Sequence, residues 1–167
     1  MRSADILLDS LSRVAENVHA VVDDIAVDVL NRAPGDDANT IAWLVWHLTR
    51  VQDAQVADVA GTDEVWVADG WADRFALPFP VGETGYGQSA ADVARVVVDD
   101  PSLLTGYYDA THRASADYLA GLSDSDLDRV VDTNWEPPVT LGVRLVSVID
   151  DDAQHIGQAA YLKGLFS

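Results

Sequence analysis

The stretch Asp150-Asp151-Asp152-Ala153-Gln154-His155-Ile156-Gly157-Gln158 sets carboxylates three and four residues ahead of a histidine. Residues at i and i+4 share one face of a helix. Asp151 and His155 can therefore address the same object, and a divalent metal ion is the natural candidate. Asp152, at i−3 from His155, is the rival carboxylate. A buried carboxylate without a partner is costly, so this face needs an explanation. His47 offers a third donor, because Leu44 and Val51, at i−3 and i+4, belong to an apolar stripe and turn it inward. His, Asp and His with open positions are the ligand count of a catalytic rather than a closed structural site. Zinc and nickel are the first expectation, and iron and manganese also suit these donors. A hydrogen-bonded core histidine at His47 and a plain Asp151–His155 ion pair are the alternatives.

The remaining histidines contribute less. His112 has polar neighbours and is expected at the surface or rim, and His19 is assigned no role. No cysteine is present, which excludes thiolate ligands, disulfides and a cysteine nucleophile. Gly82, Gly85 and Gly87 have GxxGxG spacing but no flanking strand and helix, so they are weak grounds for a nucleotide site. No nucleophile elbow or HExxH sequence occurs.

The elements that must position these residues read as helices. Apolar residues from Ile6 to Val29 recur at helical spacing and predict one amphipathic helix over Ser3–Asn31, broken by Pro34-Gly35. Asn39-Thr40 caps a second helix, with Ile41, Leu44, Val45, Leu48, Val51, Gln55 and Val59 along one stripe and Gly61 at its end. Gly61 to Ser89 is a long connection rich in Gly, Pro and aromatics, with a short helix expected around Trp71 to Phe75. A helical stretch is expected from Ala90 to Asp99. Pro101 opens a third long helix that closes near Gly121. Ser123 to Leu127 reads as a cap and a short turn, Val130 to Val139 as a loop, and Thr140 as the cap of a last helix. No stretch demands a sheet. Four long helices with a crossover between the second and third predict an all-α four-helix bundle, in one domain over residues 1–167.

Composition narrows the partners. Hydrophobic residues make up 49% and charged residues 23%, which is a globular balance. The formal net charge of -18 argues against a nucleic-acid backbone or an anionic membrane surface. No apolar run approaches the roughly 20 residues that span a bilayer, and a cytoplasmic location is the expectation.

Two motifs resemble a known family. Trp43-Leu44-Val45-Trp46-His47-Leu48-Thr49-Arg50 is similar to the second-helix motif of DinB-like proteins, and Asp151 to Leu162 is similar to their last-helix motif, ending in H-x-G-Q. The resemblance implies a four-helix bundle with a divalent metal held by three side chains, His47 and His155 being the first and last. The middle position, here Asp151, is often histidine in that family, although related branches carry an acidic residue. Characterised members resemble enzymes that use low-molecular-weight thiols such as mycothiol for isomerisation or S-transfer. The resemblance thus implies a thiol and a small-molecule substrate as partners, with Trp43, Trp46, Arg50 and Arg144 as pocket candidates, the arginines for an anionic group. Catalytic residues beyond the metal ligands are not assigned. Two further readings stand beside it: a non-catalytic binding or dimerising helical bundle with a structural His/Asp cluster, pairing as a homodimer across exposed faces, and a metal-free enzyme using His155 and Asp151 as acid and base.

Overall fold

The computed structural model describes residues 1–166. Four long helices form the bundle: α1 (Ser3–Val22), α3 (Ile41–Ala60), α7 (Pro101–Ala120) and α8 (Leu141–Phe166). Short helices lie between them: α2 (Val27–Leu30), α4 (Val65–Ala68), α5 (Trp71–Phe75) and α6 (Ala90–Val93). α1 packs on α7 and α8, and α3 packs on the same two helices from the other side. The all-α bundle is as expected, with the long crossover between α3 and α7.

The first helix is shorter than expected. It ends at Val22, and α2 follows after a break at Asp23-Asp24. Asp24 has φ of 60°, a left-handed conformation that aspartate tolerates better than most residues. Two carboxylates also oppose the negative end of a helix dipole. The break turns the chain so that Ile25 and Leu30 both reach the core.

Thr40 caps α3 as its sequence predicts, its hydroxyl accepting from the Trp43 N–H at 3.0 Å. Gly61 ends the helix at φ of 70°. The single apolar stripe expected on α3 understates its burial, since every residue from Ile41 to Arg50 is buried. Such a helix is enclosed on all sides. α7 and α8 cover one side, and the aromatic crossover covers the other. Trp66 anchors that crossover: its ring lies 5.2 Å from Phe75 and 5.0 Å from Tyr107, and its indole N–H donates to the Val81 carbonyl.

Two other expectations are corrected. The stretch Ala90 to Asp99 is helical only over α6; beyond it Val96 and Val98 are buried while Val97 is exposed, the alternation of an extended segment of β-branched residues. Val130 to Val139 is a small antiparallel hairpin rather than a loop, with β1 (Val130–Asp132) paired to β2 (Val139–Thr140). It closes the bundle end ahead of α8. Among the described residues no helix is long and apolar enough to cross a membrane.

Candidate metal centre

His47 on α3 and Asp151 and His155 on α8 meet at one flank of the bundle. One ligand atom from each lies within 4.8 Å of the other two. The two imidazole rings are 4.9 Å apart at an interplanar angle of 72°. Asp151 Oδ1 faces His155 Nε2 at 3.5 Å.

The surroundings fix which nitrogen each histidine presents. His47 Nδ1 sits 2.5 Å from the Thr84 carbonyl oxygen. A carbonyl only accepts, so Nδ1 carries the proton and Nε2 keeps its lone pair. His155 Nδ1 is 3.2 Å from Gln158 Oε1, so its Nε2 is likewise the free donor, toward Asp151. Outer hydrogen bonds of this kind orient metal-binding imidazoles. Trp43 stacks on the His47 ring at 4.5 Å and 16° and meets His155 edge-on at 6.0 Å.

Electrostatics separate the two histidines. Burial, with some help from the neighbouring His155, lowers the His47 pKa, so its imidazole is neutral. The Asp151 carboxylate raises that of His155. Asp151 Oδ2 is buried with no hydrogen-bond partner. Buried polar oxygens rarely lack a partner, and a cation held by all three residues would satisfy it. Two imidazoles and one carboxylate also make a donor set known for zinc and for non-haem iron, so the residues fit a divalent ion.

Asp151 rather than Asp152 joins this cluster. Asp152 points into the bundle core, fully buried, with neither oxygen hydrogen-bonded. Burial drives its pKa well above the usual carboxylate range, and the Asp151 charge adds to this.

A cavity of about 520 Å³ opens beside the triad, lined among others by His47, Thr84, Tyr86, Trp135, Arg144 and Asp151. Arg144 lines this cavity. The other pocket candidates are placed elsewhere. Trp43 backs His47 and donates its indole N–H to Gln88. Trp46 is buried under the crossover against Trp66 and Phe79. Arg50 does not face the cavity and is fully buried. It donates to the Tyr107 hydroxyl at 3.1 Å and the Glu83 carbonyl at 3.2 Å and pairs with Glu64 at 2.7 Å. The aromatic crossover encloses this face of α3, which a one-stripe reading of the helix left open.

Arg50 acts at one remove. Its Nε–H holds the Glu83 carbonyl, and the Glu83 carboxylate accepts from the N–H groups of Thr84 and Gly85 at 3.1 and 2.8 Å. The Thr84 carbonyl is thereby aimed at His47. Gly85 has φ of 92°, and a Cβ there would lie 2.8 Å from His47 Nδ1 and 3.0 Å from the Trp46 ring. Only glycine lets this loop approach so closely. The sequence signal was the Gly82/Gly85/Gly87 spacing, whose visible role at Gly85 is to support a histidine. Gln55, Thr84 and Trp135 carried no individual signal.

His112 stands apart from the cluster, half-buried and stacked on Tyr108 at 6.1 Å, its pKa lowered by burial. His19 lies between Asp23 and Asp109, which it meets at 3.2 and 2.9 Å.

The fold and this cluster define a four-helix bundle with a candidate His/Asp/His metal site on one flank. The chain belongs to the DinB superfamily, whose family model matches residues 10–159. Proteins of that superfamily often bind metal. A solved structure described as the conserved protein of locus from Enterococcus faecalis is 32% identical and superposes with a TM-score of 0.92, covering 98% of this chain and 96% of that one. No curated protein matches the chain.

Proposed function

We propose that His47, Asp151 and His155 bind one divalent cation, zinc or nickel before iron or manganese, and that the protein is a metal-dependent enzyme using a low-molecular-weight thiol of the mycothiol type for S-transfer or isomerisation of a small molecule. The observation that carries this reading is the convergence of the three donor atoms within 4.8 Å at the edge of an open cavity. A bound divalent ion supplies a Lewis acid that lowers the pKa of a thiol at the site. The chain's own residues do the rest. His47 is held in one tautomer by Thr84, Asp151 supplies negative charge beside two neutral donors, and Trp43 packs against both imidazole rings. With no cysteine in the chain, a sulfur nucleophile has to come with the substrate.

The test is elemental analysis of purified protein and of His47→Ala, followed by thiol titration on the same samples. The reading predicts close to one divalent ion per chain, lost in the variant, and thiol binding that needs the ion. Equal metal content in both proteins would overturn it and favour a structural His/Asp cluster.

A further inference from the structure

The floor of the cavity beside the triad is built in three rungs. α3 contributes His47, Val51 and Gln55, and α8 contributes Asp151, Val148 and Arg144; all six line the cavity. The spacing on each helix keeps these residues on one face. Contacts fix both ends: His47 lies with Asp151 in the triad, and Arg144 Nη1 donates to Gln55 Oε1. The floor therefore reads metal-ligating pair, valine pair, cationic pair. At 1.5 Å per residue, the seven residues from Arg144 to Asp151 separate the outer rungs by about 10 Å.

We propose that the ligand of this cavity is a bipolar small molecule with a metal-binding donor at one end, an apolar middle, and a carboxylate or similar anionic group at the other, about 10 Å apart along α8. The inference rests on the metal reading for its first end only. Arg144 is the one arginine or lysine among the cavity-lining residues, in a chain of net charge -18. Its Nη2 pairs with Asp132 Oδ2 at 3.1 Å, and Gln55 takes Nη1. A guanidinium has five N–H donors, and the rest of Arg144's have no acceptor among the described residues. A carboxylate is the group that best matches such a fork. Val51 and Val148 offer the middle of the ligand nothing but apolar contact. Trp135 and Tyr86 line the same cavity yet are 67% and 89% exposed, large aromatic surfaces that an apolar ligand body would cover. Trp135 belongs to the hairpin that also carries Asp132, so the Asp132–Arg144 pair ties the anion end to the aromatic wall.

The experiment titrates zinc-loaded protein with ω-mercaptoalkanoates of increasing chain length, from mercaptoacetate to mercaptooctanoate, and with their carboxamides, read by tryptophan fluorescence and calorimetry. The proposal predicts an optimum at an intermediate length. It predicts acid over amide by roughly tenfold there, as expected for a charge-assisted hydrogen bond. Arg144→Gln should remove that preference. Asp132→Asn, which breaks the same ion pair but keeps the guanidinium, should retain or increase it. Equal binding of acid and amide, or equal loss in both variants, would overturn the proposal. A parallel series of thiol-free phenylalkanoates and their amides on zinc-free protein isolates the anion end. An Arg144-dependent acid preference there supports that end even if zinc does not bind, and no preference overturns it.

Discussion

The Thr84 carbonyl and His47 Nδ1 lie 2.5 Å apart, and this contact decides which nitrogen of His47 can bind a metal. The loop that delivers it passes so close that Gly85 has no room for a side chain. Gly85→Ala would place a methyl 2.8 Å from Nδ1, at φ of 92°. We expect a loss of about 1–3 kcal/mol in stability from the strained backbone and at least about a tenfold loss of metal affinity, the scale seen when an outer partner of a ligand is removed. Chemical denaturation and calorimetric zinc titration read the two effects separately.

Arg50 holds the same loop from inside the core. Its guanidinium sits 3.5 Å from Asp53 Oδ2, both groups being nearly inaccessible. Asp53 in turn accepts from the Tyr107 hydroxyl and from the N–H groups of Val65 and Trp66 that open α4. Arg50→Met leaves that carboxylate without its cation. Breaking a buried pair from one side costs about 3–5 kcal/mol, so the urea midpoint should fall sharply. A surface-like change below about 0.5 kcal/mol would show that the network does not hold the crossover.

Asp152 is predicted to be a liability at neutral pH. Its folded-state pKa is raised by burial, so the folded protein favours the protonated acid. The associated stability is complete below the unfolded pKa near 4 and is lost as pH rises through the folded pKa. Asp152→Asn should therefore be more stable than the wild type at pH 7. The advantage should shrink toward pH 4. Denaturation of metal-free protein at both pH values checks this, and a variant less stable at pH 7 would point to an ionised Asp152 with a partner.

Metal binding should weaken in acid. The Asp151 carboxylate raises the pKa of His155 above its ordinary value of 6.5, and a metal must displace that proton. Affinity is then expected to fall as pH drops through the His155 pKa, approaching about tenfold per unit below it. Burial keeps the His47 pKa low, so a second proton should compete only in stronger acid. Zinc titrations between pH 5.5 and 8 follow the slope, and a flat profile would show that His155 is not a ligand.

Much of the fold, and the placing of the candidate ligands on α3 and α8, were legible because they rest on local periodicity and capping. Thr40, Gly61 and Pro101 mark helix ends by chemistry that acts within a few residues, and His47 lies on a helix face that turns inward. The i,i+4 spacing of Asp151 and His155 gave the geometry on α8, but Asp151 and Asp152 both remained open, since adjacent residues differ by only 100° around a helix. Packing resolves them, one to the flank and one to the core. Arg50 was misplaced for a different reason. Nothing in the local sequence shows that residues from the crossover, Glu64 and Glu83, return to enclose it. Trp135 was hidden in the same way, because the hairpin that swings it over the cavity depends on pairing β1 with β2.

The central claim is that His47, Asp151 and His155 form one metal site. Its most direct test is the zinc stoichiometry and affinity of the wild type, His47→Ala, Asp151→Ala and Asp152→Asn, measured by equilibrium dialysis at pH 7.5. The account predicts one zinc per chain in the wild type and in Asp152→Asn, and loss of that binding in His47→Ala and Asp151→Ala. Wild-type binding that survives both alanine variants, or no binding at all, would contradict it.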